Sequence, residues 1–542
     1  MRLFTLMLIG LLGALQPAAV CLAETDGESR PNILIAISDD QSFPYAGAYG
    51  DAAIETPAFD RVAKAGVLFR SAFTPAPGCS PMRAAFLTGR EIWMIREAGT
   101  HASTFPRDLP VFPEQLASAG YHVGMTGKGW GPGRAVGWPH NPAGRGYQSK
   151  KMKSPPGISG NDYAANFADF LSQRDASQPF CFWFGGHEPH RTFKRGIGTE
   201  NEIDLTKIHV PSFLPDCPEV RQDLADYLFE IQWFDSHLQR MLDQLEERGE
   251  LENTLVIVTS DNGMAFPRAK ANLYEYGIHM PLAVSWPRKI PGGQINEELV
   301  SLTDITRSIF AAAKVKPLQE EQLVGIDLLP RLSQVNQKRS PLRTGVFSGR
   351  ERHSSSRFRS LGYPCRCVRS NNYLYIRNFK PERYPAGTPQ KYSSAVFDEA
   401  GRLVSSKLGP PHGGYHDIDA CPTMDWMIKN RDRSDVTRFF QLAVQRRPAE
   451  ELFDIRNDPG CLNNLINEDE FQSVRDEHRA MMDRYLKRTG DLRVVDPQAA
   501  EVWETYPRVS GLRWFPKPDW ATETPERVPK QEWLDERRPR QE

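Results

Sequence analysis

Four short apolar runs each end in side chains able to do chemistry. Asn32–Ser38 (NILIAIS) leads into Asp39-Asp40, Tyr121–Met125 into Gly127-Lys128, Phe180–Phe184 into His187, and Thr254–Thr259 (TLVIVT) into Asp261-Asn262. A single polar residue after a strand usually turns the chain or caps a helix. Four of them, each just past a buried strand, indicate one shared site, because ligands of open α/β sheets collect beyond the carboxyl ends of the strands. Asp39, Asp40, Asp261 and Asn262 offer only oxygen donors. That set suits a hard cation, Ca²⁺ first and Mg²⁺ as the alternative, rather than zinc, which draws His and Cys.

A second group lies in Pro77–Arg90 (PGCSPMRAAFLTGR). Pro81 followed by MRAAFL reads as the first turn of a helix, where a missing N–H costs nothing. Cys79 then stands just before the helix N-terminus, whose free N–H groups hold anions or depress the pKa of a nucleophile. Arg83 reaches back to the same point from the first turn. The plainer alternative for Cys79 is a buried structural thiol or half of a disulfide.

The elements that carry these groups alternate. Helical stretches at Pro57–Ala65, Val111–Ala119 and Leu224–Leu245 interleave with the apolar strands, which argues a largely parallel sheet covered on both faces. Past about residue 340 the texture changes to shorter strand candidates such as Tyr373–Ile376, and a helix is expected over residues 468–487. The division read from this is a catalytic region over 30–360, a smaller α+β region over 361–500 and a Pro- and charge-rich tail over 501–542. Met1–Ala23, with Arg2, an apolar core and small residues at its end, reads as a cleaved export signal, which places the mature chain in a periplasm, outside the cell or in a lysosome. No later stretch is apolar enough to span a bilayer. Lys+Arg (67) and Asp+Glu (68) cancel, which excludes a polybasic nucleic-acid binder. Seven cysteines follow the leader, an odd number, so one at least stays unpaired.

Cys79-x-Pro81-x-Arg83 with Leu87-Thr88-Gly89-Arg90 resembles the signature of the type I sulfatases, in which this cysteine becomes formylglycine. The resemblance extends to Asp39-Asp40-Gln41, Gly127-Lys128, His187–His190 (HEPH), Ser260–Gly263 (SDNG) and Glu451–Asp454 with Asp458-Pro459. Within the family, Ala46–Tyr49, His187–Arg191 and Asp261–Tyr274 (DNGMAFPRAKANLY) are most similar to the heparan N-sulfatases. It implies an alkaline-phosphatase-like α/β sandwich, with a large mixed, mostly parallel sheet and a smaller C-terminal α+β domain. It also implies a formylglycine-generating enzyme as maturation partner and a sulfated saccharide as substrate. The site it implies has the metal held by Asp39, Asp40, Asp261, Asn262 and the modified Cys79. Lys128, Lys270 and His187 take the sulfate oxygens, Arg83 holds the formylglycine hydrate and His190 orients the substrate. Where the family carries a second histidine after Gly-Lys, this chain has Trp130, expected to line and reshape the substrate pocket. His101, His122, His140 and His279 then become candidates for the displaced base.

Sulfate esters present negative oxygens to any nucleophile, so catalysis requires neutralising that charge and fixing the attacking oxygen. The resemblance implies that one hydroxyl of the hydrate attacks sulfur while the other later releases sulfate, which an ordinary serine or cysteine adduct lacks the group to do. Two other readings compete with it. A phosphonate or phosphoester hydrolase of the same superfamily differs in its rates on aryl phosphate and aryl sulfate. A non-catalytic sulfoglycan-binding protein leaves residue 79 as a thiol.

Overall fold

The computed structural model describes residues 29–334, 340–398 and 403–521. The expected leader over 1–23 and the end of the tail lie outside them. Among the described residues, nine strands form the main sheet: β1 (Asn32–Ser38), β2 (Val67–Phe73), β3 (His122–Gly127), β4 (Arg145–Gly146), β5 (Phe180–Gly185), β6 (Thr254–Ser260), β7 (His279–Ser285), β8 (Gln294–Asn296) and β9 (Val300–Ser301). Their order is β4-β3-β5-β1-β6-β7-β2-β8, with β9 also on β2. Pairing is parallel except at β7, which runs against both β6 and β2. The centre of the sheet is dry. All seven residues of both β1 and β6 are buried, as expected for parallel strands covered on both faces.

Alternation along β1 divides the core. Ile33, Ile35 and Ile37 pack with Met82, Ala85 and Phe86 of helix α2 (Cys79–Thr88). Leu34 and Ala36 face the other way, toward Ala58, Phe59 and Val62 of helix α1 (Pro57–Ala65) and Leu238, Met241 and Leu242 of the long helix Pro218–Glu247. Registers set the site: Ser38 pairs with Ser260, and Ile37 and Gly127 both pair with Gly185. The residues that follow β1, β3, β5 and β6 therefore emerge along one edge. Gly127 makes that alignment possible, since its φ is +72° and a Cβ there would lie 1.9 Å from the Gly185 carbonyl oxygen.

A second, antiparallel sheet of four strands comprises β10 (Val346–Arg350), β11 (Cys365–Arg369), β12 (Tyr373–Asn378) and β15 (Glu450–Asp454), while β13 (Tyr392–Phe397) and β14 (Leu403–Leu408) pair apart. Val368, Tyr375 and Leu452 join the core under α2, together with Met482 and Leu486 of the helix Gln472–Arg488. A buried ion cluster fastens this sheet. Arg366 donates from Nε to Asp491 (2.7 Å) and from Nη2 to Glu351 (2.7 Å), and Arg493 grips the other Glu351 oxygen. Residues beyond 500 are strapped down in part: Trp503 and Phe515 are buried, and Arg508 donates to the His353 carbonyl. Among the described residues the seven cysteines are all free of disulfides. No helix among them is long and apolar enough to cross a membrane.

Candidate active site

Helix α2 begins two residues earlier than Pro81 suggests. Gly78, in extended backbone, is the N-cap and Cys79 is the first helical residue. All ten residues of α2 are buried. Gly78 suits a close approach, because a Cβ there would lie 3.0 Å from Nδ1 of the His353 side chain. The Cys79 thiol lies 3.5 Å from Asp39 Oδ1 and 3.9 Å from Asp40 Oδ1. Burial pushes it well above its ordinary pKa, the nearby lysines only partly opposing, so the helix terminus does not produce the thiolate its position suggested.

The carboxylates are held by one another's backbone and by three cations. Asp40 sits at φ +79°, a strained turn that Asp tolerates better than most residues, and its N–H donates to Asp261 Oδ1 (3.1 Å). Lys128 Nζ reaches Asp39 Oδ2 (2.5 Å), Lys270 Nζ reaches Asp40 Oδ2 (2.6 Å), and Arg83 Nε reaches Asp261 Oδ2 (2.8 Å). Burial disfavours the ionised form of Asp39, but Lys128, His190, Arg83 and Lys270 outweigh it and hold the carboxyl well below the usual range. Asp261 goes the other way, pushed up to about 6 by burial and by Asp39, with Arg83 opposing. Lys128 is buried too, yet Asp39 raises its pKa to about 12, so it is a fixed positive charge.

Asp39, Asp40, Cys79 and Asp261 each bring a ligand atom within 4.8 Å of the others. Two buried atoms in this cluster lack partners, Asn262 Oδ1 and Arg83 Nη2. The Asn262 amide nitrogen is already used on Asp40 Oδ1 (2.7 Å), which leaves its oxygen free to act as a ligand. An all-oxygen donor set with one unsatisfied carbonyl fits a hard divalent cation. The free Arg83 Nη2, 3.9 Å from Asp39 Oδ1, fits an added oxygen at position 79.

Residues 31–315 match the sulfatase family. The chain belongs to that family. Human N-sulphoglucosamine sulphohydrolase is 29% identical to it over 507 residues, covering 86% of this chain and 92% of the relative. An ulvan-active sulfatase of Formosa agariphila is 26% identical over 515 residues, covering 85% and 76%. Among solved structures, a protein in complex with its substrate D-glucosamine-2-N,6-O-disulfate superposes with a TM-score of 0.60 at 18% identity, covering 86% of this chain and 99% of that one. A 2-O GAG sulfatase superposes with a TM-score of 0.58 at 19% identity, covering 86% and 93%. The sulfatase is thus a sulfuric ester hydrolase on the fold expected of it.

A cavity of about 530 Å³ opens onto the sulfatase site, lined by Asp39, Lys128, His187, His190 and the loops around Gly131 and Gly157. His187 is exposed within it, its imidazole pushed down first by the desolvating walls and then by Lys128 and Arg83. His190 stands 4.0 Å from Asp40 Oδ2 and bonds through Nδ1 to the Arg191 carbonyl. Trp130 corrects the expectation for it. Its indole is buried rather than in the pocket, donating to the Ser80 carbonyl (3.0 Å) and packing edge-on against Phe105, so it braces the first turn of α2 from behind. Of the four histidines considered as displaced base, His122 stacks on Phe170, His279 lies between Phe43 and Phe73, and His140 is exposed. Only His101 comes near, buried against His353 behind the N-terminus of α2.

Asp419 was not anticipated. It receives Lys270 Nζ at 2.9 Å and, with Asp40 and His190, forms a second potential ligand group. It comes from a loop far along the chain, in a stretch (HDIDA) with no chemical signature.

Proposed function

We propose that this sulfatase removes sulfate from a saccharide, with N-sulfated glucosamine the first candidate, using a formylglycine made from Cys79 and a divalent cation, Ca²⁺ or Mg²⁺. The observation that carries this reading is the sugar-sized cavity whose foot is formed by Asp39, Lys128 and His187 beside the N-terminus of α2. The human relative's name and the glucosamine disulfate in the superposable structure support the same substrate class.

Asp39, Asp40, Asp261 and Asn262 would hold the cation, which supplies charge to offset that of the sulfate oxygens. Formylglycine at position 79 would supply the attacking oxygen, and Arg83 Nη2 would hold it in place. Lys128 and Lys270, both cationic, bind the remaining sulfate oxygens. His187 is neutral in the free protein. The incoming negative charge raises its proton affinity, so it can carry a proton toward the leaving nitrogen or oxygen. His190 orients the sugar from the cavity wall. We read the first 23 residues as an export leader, and modification of Cys79 as the work of a formylglycine-generating enzyme.

The deciding experiment measures sulfate release from N-sulfoglucosamine beside 6-O- and 2-O-sulfated monosaccharides, using protein co-expressed with a formylglycine-generating enzyme. Turnover of the N-sulfated sugar is expected to dominate. Turnover of O-sulfated sugars alone would retire the N-sulfatase reading.

A further inference from the structure

The wall of the same cavity carries a carboxyl group with one unpartnered oxygen. Glu230, on the long helix Pro218–Glu247, lines the cavity yet is only 1% exposed, and its Oε1 is buried without a hydrogen-bond partner. Its neighbours are committed elsewhere. Glu188 accepts from the Tyr163 hydroxyl (2.9 Å), from Ser159 N–H (3.1 Å) and from His187 N–H (3.1 Å). Arg191 is tied to both oxygens of Asp223 (2.7 and 2.9 Å) and to the Ala265 carbonyl (2.8 Å). Buried polar groups in folded proteins almost always have partners, so an orphan in the wall of a ligand cavity points to a partner that arrives with the ligand.

We propose that Glu230 is a specificity-determining residue whose free carboxyl oxygen takes a hydroxyl group of the saccharide and excludes a second sulfate from that position. This rests on the saccharide reading above. Burial, with repulsion from Glu188 and Asp226 against the pull of Arg191, pushes Glu230 up to about 9. At neutral pH it is therefore a protonated acid, offering one O–H donor and one carbonyl acceptor, the complement of an alcohol. A sulfate or uronate carboxylate placed there would find the Arg191 guanidinium already tied to Asp223 and the Ala265 carbonyl. The foot of the cavity reads anions through Lys128, whereas this wall reads a neutral polar group. The expected substrate is a sugar residue sulfated once, with an alcohol facing the long helix.

The test compares wild type, Glu230→Gln and Glu230→Ala on N-sulfoglucosamine, on N-sulfoglucosamine carrying a second sulfate at O3 or O6, and on an aryl sulfate that has no sugar hydroxyls. Wild type should prefer the singly sulfated sugar over at least one disulfated sugar by about tenfold or more, as sites built around a hydroxyl do. Glu230→Ala should raise KM for the singly sulfated sugar, lose about tenfold more there than on the aryl sulfate, and flatten the preference. Glu230→Gln, nearly isosteric, guards against a folding defect and should shift the preference in the same direction by less. Sugar turnover with an unchanged preference in both variants would overturn the assignment of Glu230 alone. Wild-type turnover of the aryl sulfate but of no sulfated sugar would overturn the saccharide reading and this assignment with it.

Discussion

At the ends of β1 and β6, Asp39, Asp40 and Asp261 face Arg83, Lys128 and Lys270. Behind the small sheet, Glu351 and Asp491 face Arg366 and Arg493. Both clusters are buried and both mix carboxylates with cations, but they are finished differently. In the second, both carboxylates are gripped from several sides and neither guanidinium has an orphaned buried nitrogen. In the first, Asn262 Oδ1 and Arg83 Nη2 remain unpartnered. The closed cluster avoids the cost of about 1–3 kcal/mol that each loose end carries. In the first cluster the two loose ends lie beside the ligand group Asp39, Asp40, Cys79 and Asp261, where a bound group can close them.

The largest expected effect breaks the open cluster at its nucleophile. Cys79→Ala should lower sulfate release by at least about 10⁴-fold while the thermal melt stays close to that of wild type. Mass spectrometry of the peptide around residue 79 checks the chemistry in the unmutated protein, where an aldehyde is expected in place of a thiol. Next comes the cation. Asp261→Asn should cost on the order of a thousandfold in kcat/KM and bring bound Ca²⁺ or Mg²⁺ well below one per chain by elemental analysis. Two zinc ions per chain in wild type would contradict the all-oxygen site.

The closed cluster should respond in the opposite sense. Arg366→Met leaves two buried carboxylates short of a partner, so unfolding free energy should fall by about 3–5 kcal/mol, with kcat/KM near wild type well below the melting temperature. Denaturant titration beside turnover separates the two effects. The smallest effect belongs to an intermediate case. Glu91 accepts from the Tyr485 hydroxyl through one oxygen while the other is orphaned, and burial pushes its carboxyl up to about 7 from an ordinary 4.5. The folded protein therefore prefers the protonated form, and stability is lost as pH rises from about 4.5 through about 7. Glu91→Gln should be more stable than wild type by about 1–3 kcal/mol at pH 8 and no more stable at pH 4.5. A gain independent of pH would assign the effect to packing instead.

Much of the open cluster is legible in sequence because its residues follow strands that are buried on both faces. Continuous apolar runs such as Asn32–Ser38 and Thr254–Ser260 have no other common explanation, and Asp39 and Asp261 come directly after them. The motif around Cys79 is contiguous and can be read without a fold. Asp419 and Glu230 carry no such signal: one sits in an irregular loop and the other on a long helix, and only tertiary packing brings Asp419 to Lys270 and Glu230 to the cavity wall. Which strand makes the sheet mixed, β7, was equally hidden, since an apolar strand does not announce its direction. Trp130 misled for a related reason. Its place after Gly-Lys gave its position along the chain but not the face toward which the indole turns.

The burial of α2 has a consequence for the order of biosynthesis. Once the chain has folded, Cys79 and its nine helical neighbours are sealed from any other macromolecule. An enzyme that rewrites residue 79 must therefore reach it while the nascent segment is still extended. On the proposed chemistry the timing would be a race between folding and modification, and chains that folded first would be left as intact, well-packed protein with an unmodified thiol. Slower synthesis or a holding chaperone would raise the active fraction without altering a single contact in the finished molecule.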